Sequence, residues 1–235
     1  MHMGILFIVA TPIGNLQDIT LRAIEVLKRE EYIACEDTRM AARLLRHIGI
    51  RGDKMLVSYF EHNEEKRIPN IINVLKNGKN VALISDAGTP GISDPGFRLI
   101  RAVLREGIRV EAIPGPSALT TALVASGLPT DKFLFLGFLP LKEGNRIRLL
   151  QNLKKGLKLI ESTVIIYESP HKIVKNLKSI MDVFGDIEIT VARELTKIYE
   201  EVRTENVSVF ITKYSENKPK GELVVLFTIK DLNPS

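Results

Sequence analysis

Val81-Ala82-Leu83-Ile84-Ser85-Asp86-Ala87-Gly88-Thr89-Pro90-Gly91-Ile92-Ser93-Asp94-Pro95-Gly96, running into Phe97-Arg98-Leu99-Ile100-Arg101-Ala102-Val103-Leu104, decides the fold. The first four apolar residues read as a buried strand, and the apolar spacing of residues 97–104 reads as a helix. Strand, Gly/Pro/Asp loop, helix is the repeating unit of an open α/β sheet, where ligands bind at the carboxyl ends of the strands. Glycine lets backbone N–H groups approach a ligand, and proline stiffens the loop beforehand. Asp86 and Asp94 add two acceptors, an inventory suited to a hydroxyl-bearing molecule such as a nucleoside. The loop also reads as a structural turn, with Asp94 as N-cap and Pro95 in the first helical turn. A side chain placed at Gly88 is expected to fill ligand space with little effect on folding. No phosphate cradle is present: Phe97-Arg98 follows Gly96 where a P-loop needs Lys and Ser/Thr, and the dinucleotide glycine fingerprint is absent.

Outward from this stretch the first half alternates. Strand-like runs at 5–10, 32–35, 55–59, 80–85 and 109–113 interleave with helical patterns at 21–31, 40–47, 64–77, 96–106 and 117–126. Such alternation predicts a mostly parallel sheet with helices on both faces. Three Gly/Pro junctions follow strands: Thr11-Pro12-Ile13-Gly14-Asn15, the opening loop, and Pro114-Gly115-Pro116-Ser117. A parallel sheet would gather all three at one edge. Gly127-Leu128-Pro129-Thr130-Asp131-Lys132 breaks the pattern and sets the expected domain boundary, residues 1–127 and 128–235. Beyond it, strands at 133–139, 164–167, 187–192 and 222–229 and helical patterns at 145–161, 171–184 and 207–214 predict a smaller α/β domain with a mixed sheet.

At 235 residues, with 45% hydrophobic and 26% charged content, the chain reads as globular. No run reaches the ~20 apolar residues of a membrane span. Met1-His2 ahead of a second methionine, Met3, is set aside as an appended pair, and no secretory leader is expected. A single cysteine, Cys35, excludes a disulfide framework and points to a reducing, cytoplasmic setting. The net charge is +5, and residues 142–178, with nine Lys/Arg against three Glu, carry the whole excess. A localised basic surface fits a polyanion, nucleic acid first, or a solvated lysine-rich face. In the helix at 145–161, Ile147, Leu150, Leu153, Leu157 and Ile160 are expected to face the core. Arg148 and Lys155, two turns apart, share the opposite face with Lys158 on its flank, and this face is expected to contact RNA phosphates.

Four polar clusters follow strands: Cys35-Glu36-Asp37-Thr38-Arg39, Glu61-His62-Asn63-Glu64, Tyr167-Glu168-Ser169-Pro170-His171-Lys172 and Ala192-Arg193-Glu194-Leu195-Thr196-Lys197. Asp37 or Thr38, and Ser169-Pro170, also read as helix caps, and Cys35 as packing. His62 and His171 have no histidine partner nearby in sequence, so no metal site is expected.

Ala10-Thr11-Pro12-Ile13-Gly14-Asn15-Leu16, Cys35-Glu36-Asp37-Thr38-Arg39, Ile84-Ser85-Asp86-Ala87-Gly88-Thr89-Pro90, Pro114-Gly115-Pro116-Ser117-Ala118, Gly137-Phe138-Leu139-Pro140, Tyr167-Glu168-Ser169-Pro170-His171 and Arg193-Glu194-Leu195-Thr196-Lys197 occur in this order. Together they resemble the ribosomal-RNA-modifying branch of the tetrapyrrole-methylase-like, class III methyltransferases. The resemblance implies two α/β domains with S-adenosylmethionine in the cleft between them, usually as a homodimer. It implies 2′-O-methylation of a cytidine ribose in the decoding region of small-subunit rRNA, naked or within the 30S subunit. By motif, Asp86, Gly88, Ile92, Ser93 and Asp94 fall on the donor-binding loop, Pro12 on the first loop, and Ser117-Ala118 on the third. Tyr167, Glu168, Arg193 and Gly221 fall on second-domain segments that would close over the adenosyl group. Tetrapyrrole-specific members carry a glycine-richer first loop than Thr11-Pro12-Ile13-Gly14-Asn15, which favours RNA. For the group that assists the ribose hydroxyl, Glu36, Asp37 and Arg39 are candidates on the first domain, and Glu168 and His171 on the second. A tetrapyrrole-like small-molecule methylase would leave the basic segment idle. A non-catalytic nucleic-acid-binding module would leave the three loops idle.

Overall fold

In the computed structural model, residues 3–52 and 54–229 are described; Met1 and His2 lie outside them. The chain divides into two compact units, residues 1–117 and 118–235. Unit 1 alternates β1 (Leu6–Val9), α1 (Leu21–Arg29), β2 (Tyr32–Cys35), α2 (Thr38–His47), β3 (Met55–Ser58), α3 (Glu64–Lys76), β4 (Val81–Ile84), α4 (Phe97–Arg105) and β5 (Val110–Ile113). Its sheet has the order β3-β2-β4-β1-β5 with every pairing parallel, as the alternation predicts. Side chains alternate across a strand, so a parallel sheet buries both faces. Phe7, Val9, Ile33 and Cys35 pack with Ala23 and Leu27 of α1 and Ala41 and Leu45 of α2. Leu6, Ile8, Ala34 and Leu83 pack on the other face with Ile71 and Leu75 of α3 and Leu99 and Val103 of α4.

Unit 2 contains α5 (Ala118–Ala125), β6 (Phe133–Phe138), α6 (Glu143–Leu157), β7 (Thr163–Glu168), α7 (Ile173–Phe184), β8 (Glu188–Arg193), β9 (Glu201–Asn206), α8 (Val207–Glu216) and β10 (Leu223–Phe227). Its sheet, β6-β7-β10-β8-β9, is mixed: β6 and β7 are parallel and the other pairs antiparallel. Leu150, Leu153 and Leu157 of α6, Leu177 and Ile180 of α7, and Phe210 of α8 share one core with Val164, Val191 and Val225 of the sheet. The division between units falls before α5 rather than after it, because α5 packs against β10.

Three expectations shift. Strand β9 has no counterpart in the sequence reading; Glu-Val-Arg-Thr-Glu-Asn carries no apolar run, and it is a strand because it pairs along its whole length with β8. Helix α6 stops at Leu157, so Ile160 lies beyond it and is 64% exposed rather than in the core. Arg146, one of the nine cations of the basic segment, is buried: Nε donates to Ser179 Oγ (2.8 Å) and Nη1 to the carbonyls of Pro140 and Leu141 (3.2 Å each).

Candidate functional site

Parallel pairing puts the carboxyl ends of β1, β2, β4 and β5 on one edge of the first sheet, and the loops that leave them are stitched together. Thr11 N–H donates to Gly88 O (2.9 Å) and Gly88 N–H donates back to Thr11 O (3.0 Å). Thr11 Oγ1 donates to Ser85 O (3.0 Å), and Thr89 Oγ1 to Pro116 O (3.1 Å). Asp37 N–H donates to Asp86 Oδ1 (3.1 Å), tying in the loop after β2. The three Gly/Pro junctions therefore meet as the parallel reading required. Pro12 and Gly88 are buried within this rim, while Asp86, Ile92 and Ser93 are exposed on it.

Gly88 has φ +81°, and a Cβ there would stand 3.5 Å from Ile13 Cγ2. The left-handed backbone strains any L side chain, so the expectation that a substitution would spare the fold does not hold. The Asp94 cap is also corrected. Helix α4 starts at Phe97 with Gly96 at its N-cap position, φ +148°, and no side-chain cap bond. Gly96 turns the chain after Pro95, leaving Asp94 upstream of the first turn. The buried carboxylate of Glu64 holds this point instead: Oε1 accepts from Gly96 N–H (3.1 Å) and from the buried Tyr59 hydroxyl (2.8 Å). Sequence reasoning missed this role, since Glu64 lies thirty-two positions from Gly96 and no local signal links them. Neighbouring Glu61 and His62 are exposed.

At the end of β2, Asp37 caps α2 by accepting from Arg39 N–H (2.8 Å), and it pairs with the Arg39 guanidinium (2.6 Å). The Arg39 hydrogen bonds hold its carboxyl down at about 2. Burial raises the Asp86 carboxyl, opposed by the Asp37 N–H and reinforced by the Asp37 charge. Burial, with Asp86, Asp37 and Glu36 adding in that order, pushes the Cys35 thiol up to about 12, which suits packing rather than nucleophilic chemistry. Glu36 is half-buried beside them.

The second unit collects its own set at one edge of the mixed sheet. Leu223 of β10 pairs with Glu168 of β7 on one side and Arg193 of β8 on the other, with Gly221 just ahead of it. Leu119 N–H donates to Tyr167 Oη (3.0 Å), which brings the start of α5 and Ala118 to this edge. A Cβ on Gly221, φ +76°, would run into the Glu194 carboxylate. Glu168 is buried and faces inward: Oε1 accepts from Asn176 Nδ2 of α7 (2.5 Å), and burial raises its carboxyl. As a catalytic candidate it is therefore committed to the interior of its own unit. His171 is exposed, its Nδ1 lying 2.7 Å from Lys218 Nζ. Ser169-Pro170 does not cap α7, which starts at Ile173; the Ser169 carbonyl accepts from Ile173 N–H (3.1 Å). Arg193 Nε donates to Glu201 Oε2 (2.5 Å) on the unforeseen strand β9. On α6, Arg148 and Lys155 are exposed as expected, and Lys158 is exposed at its C-cap position.

Among the described residues no three His, Cys, Asp or Glu side chains gather as a metal set, and no helix is long and apolar enough to cross a membrane. Residues 6–209 match the model of the Tetrapyrrole (Corrin/Porphyrin) Methylases. A relative from Thermotoga maritima, named ribosomal RNA small subunit methyltransferase I, is 46% identical over 97% of this chain and 100% of its own. Relatives of the same name from Mesorhizobium japonicum and Escherichia coli O157:H7 are 48% and 44% identical, over 94% and 95% of this chain and 74% and 77% of theirs. Among solved structures, diphthine synthase matches with a TM-score of 0.73 at 16% identity, covering 95% of this chain and 90% of its own. The methyltransferase CobJ matches with a TM-score of 0.72 at 17% identity, covering 96% and 94%. These two support the fold alone. The match over most of the chain, and relatives well above 40% identity, show that the chain belongs to the tetrapyrrole (corrin/porphyrin) methylase family, among its ribosomal RNA small subunit methyltransferase I members.

Proposed function

We propose that this enzyme uses S-adenosylmethionine to methylate the 2′-hydroxyl of a cytidine ribose in the decoding region of small-subunit rRNA. The observation that carries the reading is the identity, sustained over nearly the whole chain, to relatives named for rRNA modification. The first loop, Thr11-Pro12-Ile13-Gly14-Asn15, lacks the glycine-rich run of tetrapyrrole-specific members, which supports RNA over a porphyrin-like substrate.

The rim of the first sheet fits such a donor, because Gly88 keeps its turn free of a Cβ and the loops around it are already bonded to one another. When bound, S-adenosylmethionine supplies a methyl group already activated on sulfur, so the chain has chiefly to align reactants. Pro12, Asp86, Gly88, Ile92, Ser93, Asp94 and Ser117 would hold the donor from the first unit. Ala118, Tyr167, Arg193 and Gly221 are assigned to the same task on the second, with Tyr167 fixed by the Leu119 N–H. Asp37, held near 2 by Arg39, is a weak base, so its role is to fix Arg39 and the end of β2. Arg39, exposed at this edge, is free to meet an anionic substrate through its outer donors. The proposal includes a cytoplasmic homodimer. Phe133, Leu134 and Phe138 of edge strand β6 and the following Leu141 are 43–67% exposed, an apolar edge that a second copy would cover.

The test is methyl incorporation into naked small-subunit rRNA, assembled 30S subunits and a tetrapyrrole precursor, with donor binding followed by calorimetry and assembly by sedimentation. Label is expected in a cytidine 2′-O-methyl group, and activity is expected to survive chelation on pre-folded RNA. Label confined to the tetrapyrrole would overturn the substrate; absence of donor binding would reduce the protein to a binding module.

A further inference from the structure

Behind the edge of the mixed sheet, within the second unit, lies a recess of about 480 Å³, a size ordinary for a small-ligand site. Arg193, Lys213, Lys218 and Lys220 line it, with the rings of Tyr199 and Tyr214. Glu194 is the one acid in the lining, and Lys197 holds it at 2.9 Å. Arg193 and Lys213 share one carboxylate, that of Glu201, at 2.5 and 2.8 Å. Among the described residues no carboxylate pairs with Lys218 or Lys220. Lys218 Nζ instead lies against His171 Nδ1, which accepts from it. The recess thus carries a positive excess that no carboxylate among the described residues neutralises.

Its walls are as telling as its charge. Tyr214 is buried and stacked on Phe210, with ring centroids 5.6 Å apart, which makes a fixed wall. Tyr199 is 75% exposed, next to Ile198 at 94%. The turn that presents them is held in a costly shape: Glu194 and Thr196 both have positive φ, +51° and +65°, without being glycine. Thr196 N–H donates to Glu200, and Lys197 N–H donates to the Glu194 carbonyl (3.0 Å), fixing the turn. A rigid turn that holds an aromatic ring in solvent beside lysines with no carboxylate partner among the described residues is the arrangement used to stack a base while a phosphate is neutralised.

We propose that this recess receives one nucleotide of the RNA substrate, its phosphate between Lys218 and Lys220 and its base against Tyr199. The proposal rests on the rRNA reading above. Of its lining only Arg193 is also assigned to the methyl donor, which carries a sulfonium and no phosphate and so does not account for Lys218 and Lys220. A site that neutralises a phosphate and stacks a base holds RNA, so the effect falls on RNA affinity rather than on donor binding.

The experiment compares wild type with Lys218→Gln/Lys220→Gln and with Tyr199→Ala, all at exposed positions, for binding to naked small-subunit rRNA and 30S subunits across a salt series. Methylation kinetics, donor calorimetry and unfolding midpoints accompany each. The double variant is expected to flatten the log–log salt slope by about 0.7 for each single-strand phosphate that is no longer neutralised. Tyr199→Ala is expected to weaken RNA binding about tenfold with little change in salt slope, as loss of a stacked base does. KM for RNA should rise while donor Kd and unfolding midpoints stay at wild-type values. Unchanged RNA affinity and slope in both variants, with active wild type, would overturn the recess and leave the substrate reading standing. Loss of donor affinity would make the recess a donor subsite and overturn the proposal. Weakened binding to 30S subunits alone would assign it to a ribosomal protein and overturn it too. Wild type that neither binds nor methylates rRNA would remove the substrate reading, and this proposal with it.

Discussion

Where the first sheet ends, main chain bonds main chain: Thr11 to Gly88 in both directions, with Thr89 and Thr11 hydroxyls adding to neighbouring carbonyls. Where the second sheet ends, side chain bonds side chain: Arg193 and Lys213 on Glu201, Lys197 on Glu194, Lys218 on His171. The first edge is a rigid backbone surface suited to a ligand of fixed shape. The second is a set of charges suited to a polyanion that presents many similar groups. The two edges also differ in what they leave in the sequence. A backbone edge needs glycine and proline at fixed places, and these stand out in one reading of the chain. A charged edge needs partners far apart in sequence, and Lys, Arg and Glu there look like any solvated surface.

The sharpest way to break the first edge is to remove its buried anchor. Glu64→Leu leaves the Tyr59 hydroxyl and Gly96 N–H buried without their acceptor, and each such group costs about 1–3 kcal/mol. It also removes a negative charge from the N-terminus of α4, a favourable place for one. A loss of about 2–4 kcal/mol in denaturant unfolding is expected, with weakened S-adenosylmethionine binding because the loop's closing end is freed. Wild-type stability and donor affinity in this variant would show that the backbone bonds alone hold the rim.

Much of this contrast was legible in advance. Alternating apolar strands and helices predicted the parallel sheet, and the convergence of three Gly/Pro loops followed from parallel pairing alone. Strand β9 was not legible, because Thr204 and Arg203 become strand residues only beside β8, where Thr204 Oγ1 meets Thr190 Oγ1 (2.8 Å). Arg146 misled for the same reason as Glu64. Its partner Ser179 lies one helix away, so a buried arginine looked like its exposed neighbour Arg148. Motif resemblance named the residues proposed for the donor, Glu168 among them, but gave no sign that Glu168 is buried and held by Asn176.

Away from that edge, the second unit carries exposed cations on α6 as well, and these are sharpened by charge reversal. On α6, Arg148 and Lys155 are exposed with Lys158 just past the helix end. Changing all three to Glu should weaken rRNA binding and lower the salt slope by about 0.7–0.9 for each phosphate released from its cation. Folding should be nearly unchanged, since surface substitutions of this kind stay within about 0.5 kcal/mol. If the slope and methylation match wild type, this face is only a solvated surface and RNA is held by other parts of the protein.

The smallest effect is expected where the first edge borrows the device of the second, at the exposed Asp37–Arg39 pair. Arg39 holds the Asp37 carboxyl at about 2, below its ordinary 3.8, so the pair contributes stability that is present above 3.8 and lost as pH falls through about 2. Arg39→Met removes the guanidinium but keeps the backbone N–H at position 39 that Asp37 caps. The Asp37 carboxyl should therefore rise, while remaining below its ordinary value, in a carbon-detected NMR titration. The gain in stability between pH 2 and pH 4 should become shallower, and stability near neutrality should fall only slightly, because exposed ion pairs contribute little. An Asp37 titration that does not move would mean that the backbone cap alone depresses it. The end of β2 would then be held, like the rest of that edge, by main chain rather than by charge.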